Sequence, residues 1–127
     1  TSVVDHLVLI PGKELETIAA AAKAYREIGI RAFIAPLVQD ESLDAGVPSG
    51  GSEKNYEPYF RSTAATLELI ETAVKQFHRP DEGVYILVAP TGIQLVTDAL
   101  FEGCIELSDR YDLCRHSHLL ETKAQQV

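Results

Sequence analysis

Two histidines separated by one residue, His116 and His118, stand near the end of the chain, and a carboxylate, Glu121, follows three positions later. Residues two apart on a strand point to the same face, so both imidazoles would share one environment, with Glu121 within reach of whatever His118 touches. That set suits metal chemistry. A neutral imidazole binds Zn²⁺ or Fe²⁺, and a nearby carboxylate can carry the proton that a bound water gives up. The same spacing also fits two partly exposed histidines at a strand end, and two ligands do not complete a zinc site, which wants three or four.

Other polar residues carry weaker signals. Asp5 and His6 are adjacent, so on a strand only one of them can face a site; the simpler reading is a hydrogen-bonded pair with His6 satisfied by a backbone carbonyl. Thr91 and Gln94 read either as turn formers or as substrate contacts. His78, before Arg79 and Pro80, reads as a helix C-terminal cap, where a cation is favoured. Cys104 and Cys114 lack a partner histidine at nucleophile spacing and read as core or near-surface thiols. No G-x-S-x-G, C-x-x-C, G-x-G-x-x-G or P-loop motif is present.

The elements that must position these residues follow from hydrophobic periodicity. Val3 to Leu9 is apolar at most positions, as in a strand buried on both faces of a parallel sheet. Glu14 to Ile28 carries Leu15, Ile18, Ala19, Ala22, Tyr25 and Ile28 at helical spacing, and Gly29 stands where a helix C-cap belongs. Arg31 to Val38 predicts a second strand, with Pro36 marking its end. Gln39 to Pro58, with three glycines and two prolines, has no apolar period and predicts a long loop, read as a lid or a surface insertion. Ser62 to His78 predicts a second helix, Val84 to Ala89 a third strand, Asp98 to about Tyr111 a helix capped by Thr97, and Leu113 to His118 a fourth strand.

Strand starts at Val3, Ala32, Val84 and Leu113 are 29, 52 and 29 residues apart, and the outer intervals match the roughly 30 residues of a βαβ unit. The fold class is therefore α/β with alternating strands and helices and a parallel sheet, either open and doubly wound or part of a closed (β/α) barrel. In both, ligands bind at the C-terminal ends of the strands, where the polar residues above fall.

The chain has 127 residues with 46% hydrophobic and 24% charged, which fits a single segment spanning 1–127 with the loop at 39–58. Its net charge of -8 repels phosphate backbones, so nucleic acid is not an expected partner. The apolar runs fall short of the roughly 18 residues a membrane span needs. Without a signal-peptide layout and with thiols predicted too far apart to bridge, a cytoplasmic setting is expected.

The run Leu113 to Gln125, LCRHSHLLETKAQ, resembles the end of the fifth barrel strand in the amidohydrolase superfamily, in the branch of cytosine, guanine and S-adenosylhomocysteine deaminases and s-triazine hydrolases. TSVVDHL resembles their second strand, and VAPTGIQLVTDALFEGCIELSDRY their fourth strand and following helix. The resemblance implies a partial TIM barrel, with His118 a metal ligand and Glu121 the acid and base moving protons between metal-bound water and a ring nitrogen. It assigns no role to His116. Thr91 stands where nucleoside-processing members show His, which argues against an adenosine-type substrate and leaves Gln94 as a possible contact to a heterocycle. The implied activity is hydrolysis of a C–N or C–Cl bond on a small heterocycle, with zinc or iron as the divalent metal. The family's ligands on strands one, six and eight have no counterpart here, so the expectation is a fragment covering strands two to five, inactive alone and homo-oligomeric to cover its open sheet edges. The competing expectation is an autonomous flavodoxin-like acidic binding module, monomeric and without catalysis.

Overall fold

The computed structural model describes residues 1–42, 61–121 and 123. Strand β1 (Ser2–Leu7), helix α1 (Glu14–Ile28), strand β2 (Arg31–Pro36), helix α2 (Thr63–Phe77), strand β3 (Val84–Ile86) and helix α3 (Asp98–Tyr111) follow in that order. The predicted loop over 39–58 lies outside the described residues from 43 onward.

The strands pair in parallel in the order β1-β2-β3. Val4 lies opposite Phe33, His6 opposite Ala35, and Phe33 opposite Tyr85. Regular pairing stops sooner than the apolar runs predict. Pro36 has no N–H to give, so β2 ends there, and beyond it the sheet continues only as a bridge from Val38 to Pro90. The predicted fourth strand is likewise not a regular strand. Residues 113–118 run parallel to the extension of β3 through bridges at Val88–Arg115 and Gly92–His118. The Val88 N–H donates to the Cys114 carbonyl, the His116 N–H to the Val88 carbonyl at 3.0 Å and the His118 N–H to the Thr91 carbonyl at 3.1 Å. The reason lies in Pro90 and the 3-10 turn at Ile93–Leu95, which bend the partner strand away from uniform register.

Alternation sorts the sheet's two faces. Ala32, Ile34, Val84, Ile86 and Val88 face the helices and join Ile18 and Ala22 of α1, Ile70, Ala73 and Val74 of α2, and Leu100, Cys104 and Leu107 of α3 in the main core. Ile28, expected on the core face of α1, is 74% exposed. On the opposite face a smaller cluster forms from Ala35, Leu87 and Ala89, flanked by Phe33 and Tyr85, whose rings stack at 4.7 Å.

The helix ends obey local rules. Gly29 caps α1 at φ 75°, a left-handed conformation that glycine adopts without a Cβ penalty. The Ser62 and Thr97 hydroxyls accept from the Ala65 and Leu100 N–H groups at the starts of α2 and α3. Asp40, just past β2, accepts from the Thr63 hydroxyl at 2.6 Å and from both the N–H and hydroxyl of Thr97 at 2.7 Å. One carboxylate thus ties the starts of two helices to one strand end. Burial pushes Asp40 up, but these hydrogen bonds outweigh it and hold the carboxyl below its ordinary value.

At the start of α1, Glu14 is buried and takes a forked hydrogen bond from Arg61, Nε at 3.1 Å and Nη2 at 2.6 Å, plus the Gly12 N–H at 3.1 Å. The Arg61 guanidinium, with the backbone N–H groups, outweighs burial and holds the Glu14 carboxyl down at about 2, against an ordinary 4.5. A depressed carboxyl pKa adds stability that is complete above the unfolded-state value and vanishes as pH falls through the folded one. Denaturation midpoints measured against pH are expected to fall between about pH 4.5 and pH 2 by a contribution on the order of 3 kcal/mol. Glu14→Gln should remove that component, and an unchanged pH profile in this variant would show that the pair does not stabilise the fold.

Candidate metal centre

Three imidazoles meet on the concave face of the sheet. His6 comes from the C-terminal half of β1, and His116 and His118 from the segment that follows β3. Ring centroids are 4.7 Å apart for His6 and His116, 4.5 Å for His6 and His118, and 5.6 Å for His116 and His118. One ligating nitrogen from each lies within 4.8 Å of the other two. His6 Nδ1 is 3.4 Å from His118 Nε2.

That meeting has a geometric price for the sheet. His6 and His118 sit three strand spacings apart in the pairing order, roughly 14 Å across a flat sheet at about 4.8 Å per step. Rings at 4.5 Å therefore require the sheet to curl around this face. The residues between them are suited to it: Ala35, Leu87 and Ala89 are buried there, and the two alanines leave room over the middle strands.

Burial lowers the His6 pKa first, and the neighbouring His116 and His118 lower it further, while the Ala89 backbone and Asp5 act in the opposite direction. The Ala89 backbone hydrogen-bonds weakly with the His6 ring, in line with the expected backbone partner, although His6 Nε2 is buried and has no partner at full hydrogen-bond geometry. Such a group costs about 1–3 kcal/mol when left unpaired. Asp5 faces the other side and accepts from the Tyr25 hydroxyl at 2.8 Å. The donor set fits a divalent transition metal, with one nitrogen from each of three imidazoles within 4.8 Å of the others and His6 Nδ1 facing His118 Nε2.

The remaining candidates fall at different distances from this cluster. Glu121 is exposed, just beyond Leu120, whose φ of 56° is left-handed and strained for a branched residue. Thr91 lines the sheet extension, where its hydroxyl donates to the Val38 carbonyl at 3.0 Å, a turn-forming contact. Gln94 lies in the 3-10 turn at Ile93–Leu95 with its amide folded against Gly92. His78 does end α2, but its Nδ1 accepts from the Ile86 N–H at 3.0 Å, so the ring serves as a neutral acceptor rather than as a helix-capping cation. Cys104 is buried and Cys114 exposed, both free thiols, and burial pushes the Cys104 thiol up to about 12, which leaves it unreactive.

His6 is the residue whose place the sequence did not reveal. Its position near a strand end was legible, but its partners lie 110 and 112 residues away and come within reach only through the curl.

No protein-family model matches the chain. Over 124 residues it is 27% identical to an 8-oxoguanine deaminase of Pseudomonas aeruginosa, a match covering 96% of this chain and 26% of that one. Among solved structures, a triazine hydrolase variant superposes with a TM-score of 0.80 at 20% identity, covering 99% of this chain and 28% of that one. A guanine deaminase from C. acetobutylicum with bound guanine gives 0.74 at 18% identity over 97% and 26%. An atrazine chlorohydrolase from Arthrobacter aurescens complexed with zinc gives 0.75 at 23% identity over 94% and 26%. The likeness to these solved structures shows the fold, which is part of a TIM (β/α) barrel, and the open doubly wound sheet of the competing expectation is set aside. The chain spans about a quarter of the length of the curated relative it matches. Among the described residues no helix is long and apolar enough to cross a membrane.

Because burial and two neighbouring imidazoles disfavour its charged form, His6 in the metal-free chain is expected to titrate below 6.5. The unfolded chain then binds the extra proton more readily, so the His6 contribution to stability rises with pH through that window. Side-chain ¹⁵N NMR titration reads this directly, and a His6 midpoint at or above 6.5 would contradict the buried, mutually repelling cluster.

Proposed function

We propose that this chain is a segment of a metal-dependent amidohydrolase that hydrolyses a C–N or C–Cl bond on a small heterocycle. The observation that carries the reading is the delivery of His118 to the concave face at the C-terminal strand ends, with Glu121 three residues further on. The named activities of the similar proteins, deamination of oxidised or normal guanine and triazine hydrolysis, supply the substrate class. Zinc in the similar chlorohydrolase favours zinc as the cation, with iron the other candidate.

His118 is the ligand that the resemblance assigns. A divalent cation held there supplies a water acidic enough to act as a nucleophile at neutral pH. Glu121 would take a proton from the attacking water and pass it to the ring nitrogen as the oxygen–carbon bond forms. It would then move the remaining hydroxyl proton to the leaving nitrogen as the C–N bond breaks and ammonia or an amine departs, or release it to solvent where a C–Cl bond breaks and chloride departs. Thr91 and Gln94, at the neighbouring strand end, are the proposed contacts to the heterocycle. In the Thr91 hydroxyl the proton is committed to Val38, so toward a substrate it offers an acceptor rather than a donor.

In a complete barrel containing this segment, Glu121→Gln is expected to lower kcat/KM by about 100-fold or more, with substrate affinity little changed. An unaltered rate removes Glu121 from the chemistry.

The short match to longer relatives and the open sheet support a second component of the proposal. Among the described residues nothing pairs with the outer edge of β1 or of 113–118, and Val4, Val8, Leu119 and Leu120 are 55%, 71%, 63% and 53% exposed. Unpaired edges beside exposed apolar side chains favour association. The isolated 127-residue chain is therefore expected to be catalytically inactive and to elute as a homo-oligomer in size-exclusion chromatography with light scattering. A compact monomer at high concentration would overturn the association.

A further inference from the structure

We infer that His6, His116 and His118 together form a three-imidazole centre that binds one divalent transition-metal ion using residues of this chain alone. The inference rests on the amidohydrolase reading only for His118; the resemblance gives neither His6 nor His116 a ligand role.

The distances set the case. In tetrahedral zinc sites with nitrogens at about 2.0–2.1 Å, two ligating nitrogens are about 3.4 Å apart, and His6 Nδ1 stands 3.4 Å from His118 Nε2. As an N–H···N hydrogen bond between two imidazoles that separation is long, beyond the usual range of about 2.7–3.2 Å. An ion between them uses a lone pair from each. His116 has a ligating nitrogen within 4.8 Å of both, a separation that a small ring rotation closes. Its backbone is already pinned, since its N–H donates to the Val88 carbonyl at 3.0 Å.

The surroundings favour binding over a mere cluster of rings. No carboxylate belongs to the group, so the site carries no charge of its own and selects ions that bind nitrogen strongly, Zn²⁺ and Co²⁺ over Mg²⁺ and Ca²⁺. The Ala89 backbone lies beside His6, where a ligating imidazole commonly directs its second nitrogen. Three protein nitrogens leave a fourth position for water, the arrangement of catalytic rather than structural zinc. All three rings are half-buried, which leaves an approach from the open strand ends.

The test uses the chelator-stripped 127-residue chain, titrated with Co²⁺ by visible absorption and with Zn²⁺ by equilibrium dialysis. One ion per chain is expected, with the intense absorption of tetrahedral Co²⁺. His6→Gln, His116→Gln and His118→Gln should each weaken binding at least 10-fold, with circular dichroism confirming that each variant is folded. Side-chain ¹⁵N NMR of the unmodified chain gives a variant-free readout: Zn²⁺ should shift His6, His116 and His118 and leave His78 unmoved. Binding that depends on His118 but not on His6 or His116 overturns the three-imidazole centre while leaving the proposed hydrolase intact. One ion per two chains, or no stoichiometric binding to the folded chain, also overturns it. A full-rate Glu121→Gln barrel alongside intact three-histidine binding would instead defeat the catalytic reading alone.

Discussion

The curl of the sheet is the constraint on which the rest depends. Four parallel segments paired side by side would keep the first and last about 14 Å apart if flat, yet their imidazoles touch. Curvature of that degree needs side chains of unequal size on the two faces. Outside, branched residues such as Ile34, Ile86 and Val88 spread the strands against three helices, while inside Ala35 and Ala89 let them converge. Larger residues at these two alanines, Ala35 being the register partner of His6 and Ala89 lying beside its ring, would push the first and fourth segments apart and separate His6 from His118. The same inequality explains why the inner cluster is small and the helix-facing core is large.

A second layer of order comes from carboxylates buried at strand and helix ends. Asp40 and Glu14 are each held ionised by several donors, and each joins elements distant in sequence: Asp40 binds Thr63 and Thr97, and Glu14 binds Arg61. In a chain of net charge -8 the Arg61 cation offsets the Glu14 charge locally, whereas the neutral donors around Asp40 solvate its charge without cancelling it. Both nodes lie at or beside the βα turns, so they stabilise the end of the sheet where the histidines sit. Removing Arg61 would strip the buried Glu14 carboxylate of its forked donor, a larger loss than the pair contributes when whole.

Most of the fold was legible in the residues because each helix carries its own signals. Gly29, Ser62 and Thr97 mark helix ends in the sequence and take up those roles in the structure. Strand ends were less legible. Apolar runs through Leu9, Val38 and Ala89 read as continuous strands, whereas regular pairing stops at Leu7, Pro36 and Ile86, because register depends on the partner strand and on Pro36 and Pro90 together. The shared face of His116 and His118 followed from the two-residue period of a strand. The joining of His6 to them did not, because curvature is set by the summed packing of the helices and no local pattern states it.

The division between the sheet's two faces then accounts for where chemistry can evolve in this segment. Residues facing the helices are fixed by close packing, where a change of even one methylene group is felt. Residues on the concave face at the strand ends lie outside the helix-facing core, beside Ala35 and Ala89 and one another, so polar side chains are tolerated there at little cost to the core. His6 illustrates the limit of that tolerance: its Nε2 is buried without a partner at full hydrogen-bond geometry, a cost that packing alone does not remove. The Ala89 backbone beside the ring relieves part of that cost, while the other ring nitrogen, Nδ1, faces His118 Nε2 at 3.4 Å. The curl that closes the sheet and the chemistry available at its end are therefore set by the same few residues.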